Sequence, residues 1–416
     1  MNAPARLDHE TIAAMLPLDK FDVGNPQLYQ DDAWEPYFRR LRMEDPVHYC
    51  ADSRFGPYWS VTKYKDIMAV EVNHKVFSSD AMLGGITIRD APAEFRRPSF
   101  ISMDPPRHDE QRKVVQPIVA PFNLHNMEAT IRERCATVLD GLPRNETFDW
   151  VERVSIELTT MMLATLFDFP FEDRKLLTWW SDVATADIKG GGPIDSDEKR
   201  EAELMSCLEY FTRLFNERAQ QPVKTDLLSM LAHGEATKNL SPKEFLGNLV
   251  LLIVGGNDTT RNSMSASVLF MNRFPEEYAK LKANHNLIDS MVPEVIRYHT
   301  PLTHMRRTAL ADAEIGGKQI KKGDKVVMWY ISGNRDAEAI ENPDAFIIDR
   351  ARPRQHLSFG FGIHRCVGNR LGEMQLKILW EEILKRFDRI EMVDEPTRIF
   401  SSFVHGITAL PVRIPG

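Results

Sequence analysis

The chain has 416 residues, 43% of them hydrophobic, and a formal net charge of -8. That is apolar enough for a sizeable core, which excludes a disordered chain, and acidic enough to argue against nucleic acid as the main partner. Its four cysteines, Cys50, Cys135, Cys207 and Cys366, are scattered without a CxxC pair, so neither a zinc cluster nor a disulfide framework is expected.

The N-terminal MNAPARLDHETIAAMLPLDK contains no apolar stretch of signal-peptide length. The most apolar run, Leu249 to Val254, is six residues, against the ~20 needed to span a bilayer. A cytoplasmic protein with reduced thiols and no membrane span is expected. No repeat, low-complexity tract or linker interrupts the chain, so residues 1–416 read as a single domain.

Pro46 to Val61 alternates aromatic, β-branched and polar residues around Gly56-Pro57, the pattern of a β-hairpin. From Asp104 to Leu281 the periodicity is mainly helical. One such helix covers Phe148 to Phe167 and stops at Asp168-Phe169-Pro170. Gly190-Gly191-Gly192-Pro193, followed by Asp195, Asp197 and Glu198, is a charged connection between helices, either a solvated loop or the hinge of a lid. Ser241-Pro242-Lys243-Glu244 is a capping box with proline at the first helical position. No proline follows until Pro275, which predicts a helix of about 30 residues, roughly 45 Å long. Being apolar nearly all round through Leu249–Val254, it must cross the protein centre. Ile315 to Tyr330 reads as strands joined by glycine turns, and the stretch after Phe400 is again strand-like. The fold class is mainly α with a smaller β-rich part.

The decisive segment is His356-Leu-Ser-Phe-Gly-Phe-Gly-Ile-His-Arg-Cys-Val-Gly368, which holds Phe359, Gly362, Cys366 and Gly368 in the spacing FxxGxxxCxG. A lone buried cysteine is usually a small apolar filler. Here Gly360, Gly362 and Gly368 allow tight turns and close approach to a flat ligand, and their amides can point at the sulfur. His364 and Arg365 favour a thiolate, as does the positive end of a helix beginning near Gly368. This loop resembles that of the cytochrome P450 family, whose haem iron takes a cysteine thiolate. The order of motifs matches along nearly the whole chain.

The resemblance implies the P450 fold, a triangular prism with haem b between the long central helix and the helix after the cysteine loop. Cys366 would be the axial ligand. Gly255-Gly256-Asn257-Asp258-Thr259-Thr260 stands midway along the long helix. Two glycines inside a helix cost about 1 kcal/mol each relative to alanine. They indicate either close helix packing or, as the family implies, room for dioxygen and a local opening of the helix. Thr259 would then offer its hydroxyl to bound oxygen, and Asp258 would relay protons from solvent.

Glu294 and Arg297 form ExxR, which in this position resembles the family's core ion pair, joined by Arg350 and serving folding. Haem carries two propionates, and the resemblance assigns them to His108, Arg112, Arg306 and His364, with His304 and His356 as weaker candidates. Pocket positions carried over from the family are Leu83 in a Leu83–Met103 roof loop, Leu251, Val254 and Gly255 on the long helix, Leu302, Thr303 and Met305 beyond the ExxR helix, and the Phe403-Val404 turn. Most are apolar, so an apolar substrate is expected. A charged anchor for a carboxylate, such as Arg89, Arg96 or Arg97, could lie only near the mouth.

LLIVGGNDTTRNSM and HLSFGFGIHRCVGNRL look like bacterial P450s that hydroxylate medium-chain alkanes at the terminal carbon. Sterol side-chain or fatty-acid hydroxylation is the alternative, and a haem-thiolate protein without monooxygenase activity a remote one, since that would not need Asp258-Thr259. The family further implies O2 as co-substrate and electrons from NAD(P)H through ferredoxin reductase and ferredoxin, to a monomeric enzyme. Lys113, Arg352, Arg354, Arg365, Arg370 and Lys377 fall in the two haem-side segments and would form the ferredoxin's docking face.

Overall fold

In the computed structural model, which describes residues 4–416, Ser241 caps the longest helix, Pro242–Arg273, by accepting the Glu244 N–H. At 32 residues this helix spans ~48 Å. Side chains are described from His9 onward, so Met1 to Ala3 of the N-terminal segment read above lie outside the described residues.

Against the long helix pack Glu157–Phe167, Lys175–Thr185, Asp197–Ala219, Ile288–His299 and Asn369–Arg386, and Pro121–Asp140 packs on the last of these. Their shared core includes Trp150, Phe167, Trp180, Phe211 and Trp380, all buried. Among the described residues no helix is long and apolar enough to cross a membrane.

The β-rich part is a five-stranded sheet in the order β1-β2-β8-β5-β3 with smaller pieces beside it. Its strands are β1 (Val47–Cys50), β2 (Tyr58–Val61) and β3 (Phe77–Ser78), with β5 (His304–Ala309) and β8 (Lys325–Trp329). β4 (Thr147–Asp149) lies outside this sheet, and β6 (Ala313–Ile315) and β7 (Lys318–Ile320) form a hairpin. β1 and β2 are the hairpin read from Pro46 to Val61, pairing Val47 with Val61 and Cys50 with Tyr58. Gly316 and Gly317, both at positive φ, turn β6 into β7. Such a two-residue turn follows the right-handed twist of the strands. After Phe400 come two short strands, Ile407–Ala409 and Pro411–Arg413.

β8 is buried at every position and shows why the sheet sits inside. Val327 and Trp329 join the N-terminal cluster of Phe21, Tyr29 and Phe38, while Val326 and Met328 join Val61, Ile67 and Leu357. Successive side chains leave opposite faces of a strand, so one strand serves two cores.

Two local expectations change. Phe148 lies in β4 and Val151–Ile156 is a π-helical turn, so the regular helix starts only at Glu157. Periodicity alone does not separate a wide turn from an α-turn. The stop is where expected, with Asp168 in left-handed backbone at φ 49°. The long helix is also continuous through Gly255–Thr260 and shows no local opening. There the Thr259 hydroxyl donates to the Gly255 carbonyl at 3.0 Å, a bond made within one helical turn.

Candidate active site

Cys366 follows the short turn Gly362–His364 and precedes the N-terminus of Asn369–Arg386. Its N–H donates to the Phe359 carbonyl at 2.8 Å, closing the loop. Gly360 and Gly362 take φ of 66° and 69°, which glycine adopts at no steric cost. A Cβ on Gly362 would come 2.7 Å from the Glu71 carbonyl, so this glycine permits close approach of the helix Tyr64–Val72.

The Cys366 side chain is exposed yet closely surrounded by protein, as a group facing an internal hollow must be. Burial pushes its thiol up. The N–H groups of Gly368 and Asn369 and the charges of Arg112 and Arg365 pull it down without cancelling that. A metal cation held by this sulfur would make the thiolate dominant. His364 adds no positive charge, because burial holds it neutral, with a pKa of about 2.

Leu251, Val254, Gly255 and Thr259 are all at least partly accessible, although the long helix runs through the interior. Their spacing puts them on one face, which therefore lines a hollow. The two glycines do different work. A Cβ on Gly255 would meet nothing within 4 Å, whereas one on Gly256 would sit 2.7 Å from the Leu163 side chain. The first leaves space, and the second allows close packing of Glu157–Phe167.

Asp258 is fully buried and turned toward Lys175–Thr185. Its carboxylate accepts from Ser181 and Thr185 at 3.2 Å each, Asn257 at 3.1 Å and Arg261 at 2.8 Å. Burial raises its pKa, with Arg261 opposing. Arg261 also reaches Asp182 at 3.0 Å, whose side chain is 37% exposed. A chain of ion pairs thus runs from Asp182 at the surface through Arg261 to Asp258. The i,i+3 spacing of Asp258 and Arg261 was a usable signal for it, while Ser181 and Thr185 carried none.

Among the expected anchors, His108, Arg112 and His364 gather beside the cysteine loop. The rings of His108 and His364 meet edge to face at 4.4 Å, and Arg112 donates to the Arg365 carbonyl at 2.5 Å. Asp109 takes Nδ1 of His108, and Ser79 takes Nε2 of His364. Nε2 of His108 and Nδ1 of His364 are buried without a partner, as is Nε of Arg306. Buried nitrogens without a partner on three residues, His108, His364 and Arg306, two of them beside the cysteine loop, fit a ligand bearing two carboxylates. The residues present therefore fit haem.

Arg306 is otherwise turned to the roof loop, pairing with Asp90 and donating to the Leu83 carbonyl at 3.3 Å. Leu83 itself is 45% exposed. His356 is buried, with Nδ1 accepting the Ser358 N–H. His304 is engaged on both ring nitrogens, by Ile88 and Ser402, and has none left for a propionate.

Glu294 and Arg297 are both fully buried, 2.7 Å apart, with Arg350 at 3.0 Å from Glu294. Arg297 also donates to the carbonyls of Asn334, Pro343 and Ala345. A second buried pair escaped the sequence reading. Arg307 meets Glu71 at 2.7 Å, and Tyr330 donates to the same carboxylate. Adjacent strand residues face opposite ways, so Arg306 serves the roof loop and Arg307 the support under the cysteine loop.

At the mouth, Arg89 and Arg97 pair with Asp197 and Glu201 of the helix Asp197–Ala219, and Arg96 donates to the Met82 and Ala91 carbonyls. All three are occupied within the protein. On the cysteine side Arg354 is held by Glu373 and Lys377 by Asp289, whereas Lys113, Arg352, Arg365 and Arg370 are exposed without a carboxylate partner among the described residues.

Comparison with known proteins agrees with this geometry. The Cytochrome P450 family model matches residues 197–413. Linalool 8-monooxygenase from Pseudomonas putida is 34% identical over 95% of this chain and 99% of its own. Steroid C26-monooxygenase from Mycolicibacterium smegmatis is 31% identical over 90% of this chain and 89% of its own. The solved structure of cytochrome P450-153 from Novosphingobium aromaticivorans superposes with a TM-score of 0.89 at 48% identity, covering 94% of this chain and 99% of that one. With a cysteine loop, an acid–alcohol pair and a buried ExxR triad in one fold, the chain belongs to the cytochrome P450 family of monooxygenases.

Proposed function

We propose that the protein hydroxylates the terminal methyl of medium-chain n-alkanes or related aliphatic compounds, using O2 and electrons passed from NAD(P)H through ferredoxin reductase and a ferredoxin. The observation that carries this reading is the apolar stripe of Leu251, Val254 and Gly255 beneath mouth arginines already paired to Asp197 and Glu201. Such a pocket offers a fatty-acid carboxylate no free cation and suits an uncharged chain. The relatives named for linalool and for steroid act on other apolar molecules, so chain shape must be selected within this chain's own pocket.

Haem bound through Cys366 supplies the oxidising chemistry, with His108, Arg112, His364 and Arg306 as the groups that would hold its propionates. Gly255 leaves open space on the accessible face of the long helix. Thr259 presents a hydroxyl on the open face, and Asp258 takes up and returns the proton, held in place by Arg261, which stays charged and pairs with Asp182 at the surface. Both are groups that can give a proton and recover it. Leu302, Met305 and Phe403 narrow the approach, so that only a chain end reaches reacting distance. That control is required because secondary C–H bonds are weaker than terminal ones.

Octane turnover tests the reading. Wild type should give mainly 1-octanol, and Phe403→Ala a rising share of 2-octanol. Predominantly internal alcohols from wild type, or no alkane oxidation beside good turnover of a sterol, would reject it. Dithionite and CO added to the purified protein check the thiolate ligand independently, through the Soret band.

A further inference from the structure

His304 opens β5, and its ring is fully buried. Nδ1 lies 2.9 Å from the Ser402 carbonyl, an acceptor only, and 3.0 Å from the Thr303 hydroxyl, which donates to that same carbonyl and so accepts from the ring. Nε2 lies 3.2 Å from the Ile88 N–H, a donor only. One protonation state satisfies both neighbours: the neutral ring with its hydrogen on Nδ1. Burial agrees, holding the pKa at about 3. An imidazolium would set N–H against N–H at Ile88.

The two partners belong to different walls. Ile88 lies in the roof loop, which β5 and β8 hold through Arg306 N–H to the Ile86 carbonyl at 2.8 Å and Lys325 to the Ile88 carbonyl at 3.0 Å. Ser402 lies in the C-terminal turn, which is tied down by Thr303 N–H to the Phe403 carbonyl and His405 N–H to the Pro301 carbonyl. The His304 ring also meets Phe403 edge to face at 5.3 Å and Trp329 at 4.7 Å. No sequence motif links residues 88, 304 and 402.

We propose that His304 is a positioning residue for regioselectivity, a strut that fixes the roof segment 86–90 against the C-terminal turn and holds the Phe403 ring in place. Its link to product outcome rests on the proposed pocket, whereas its mechanical role does not. His304→Asn places an amide nitrogen where Nδ1 stands and keeps the bond to Ser402. His304→Gln can place a carbonyl oxygen near Nε2 and keep the bond from Ile88. His304→Leu loses both.

Hydrogen exchange by mass spectrometry on the haem-loaded proteins reads each link separately. His304→Leu should speed exchange in both segments 86–90 and 401–405 by about fivefold or more, the scale of one lost hydrogen bond. His304→Asn should speed only the roof segment, and His304→Gln only the turn. This reciprocal pattern also decides the matter if His304→Leu fails to fold. The product ratio is then measured on whichever aliphatic substrate wild type oxidises, and the share of terminal product should fall in all three variants. Equal exchange changes in Asn and Gln, or none, would overturn the strut. Altered exchange with an unchanged product ratio would overturn its role in selectivity. Failure of wild type to oxidise any alkane would reject the alkane reading and leave the exchange result standing.

Discussion

Asp258 and Thr259 are consecutive on the long helix yet use different sides of it. The carboxylate is buried against Ser181 and Thr185, while the hydroxyl lies on the accessible stripe with Gly255. A helix turns about 100° per residue, so neighbours in sequence naturally divide the work. Thr259→Ala should leave electron-donor consumption running while product falls and hydrogen peroxide rises. Asp258→Asn should slow turnover at least tenfold and enlarge the solvent isotope effect, because an amide cannot take up and return the proton that the carboxylate does. An unchanged ratio of product to donor consumed in Thr259→Ala removes that residue from proton delivery.

Gly255 and Gly256 should separate cleanly when each is replaced by alanine. Both variants gain about 1 kcal/mol of helix propensity. Gly255→Ala meets no atom and should be slightly more stable, but it fills space in the hollow and should weaken substrate binding. Gly256→Ala presses on Leu163, which is 1% exposed and has little room to move. Overpacking of this kind costs about 1–3 kcal/mol. Urea unfolding should therefore rank Gly255→Ala above Gly256→Ala by about that amount, and equal stabilities would contradict the assigned division.

Arg297 is the centre of the buried triad, with Glu294, Arg350 and three backbone carbonyls as partners. Removing one member leaves an uncompensated charge in the interior, at about 3–5 kcal/mol. Arg297→Lys keeps the charge but loses the planar fork, so even this change should lower stability by several kcal/mol and reduce haem retention. Near-wild-type unfolding would show that the network is dispensable.

What could be read from the sequence was local. FxxGxxxCxG, ExxR and the capping box at Ser241 each place their residues within a few turns, where spacing fixes geometry. What escaped depended on register between distant segments. Arg306 and Arg307 are adjacent arginines, and only the strand's alternation sends one to Asp90 and the other to Glu71. Glu71 carries no motif and acquires its role from the helix end that Gly362 admits. His304 was read as a weaker propionate anchor because its position, two before Arg306, was visible and its partners Ile88 and Ser402 were not. Likewise, the pair of glycines announced a special site without showing that one opens a hollow and the other packs a helix.

Stability should fall on the acid side through buried neutral histidines. Burial holds His304 and His356 at about 3 against 6.5 for a free imidazole. Their depressed values mean the unfolded chain binds more protons below 6.5, so stability is lost as pH falls through that value toward the folded one. From about pH 7 to about pH 5 each contributes a loss of roughly 2 kcal/mol. The urea midpoint should drop accordingly. His356→Gln should remove about one histidine's share of the pH dependence, and an undiminished slope would show that His356 titrates normally.

Electron delivery should use the cysteine side, and the structure narrows which charges matter. Arg354 and Lys377 are already neutralised by Glu373 and Asp289, so a docking acidic partner would meet Lys113, Arg352, Arg365 and Arg370. Complementary patches of this kind mainly speed encounter, and screening reaches about 10 Å at 0.1 M salt. With an acidic ferredoxin as donor, reduction should slow steeply as ionic strength rises. Lys113→Glu with Arg370→Glu should slow it at least tenfold at low salt, while Lys377→Glu, already half of an ion pair, should do much less. Both variants should keep wild-type product ratios when driven chemically, since all three residues lie on the exposed cysteine side. Salt-independent reduction, or an equal effect from Lys377→Glu, would move the docking face elsewhere.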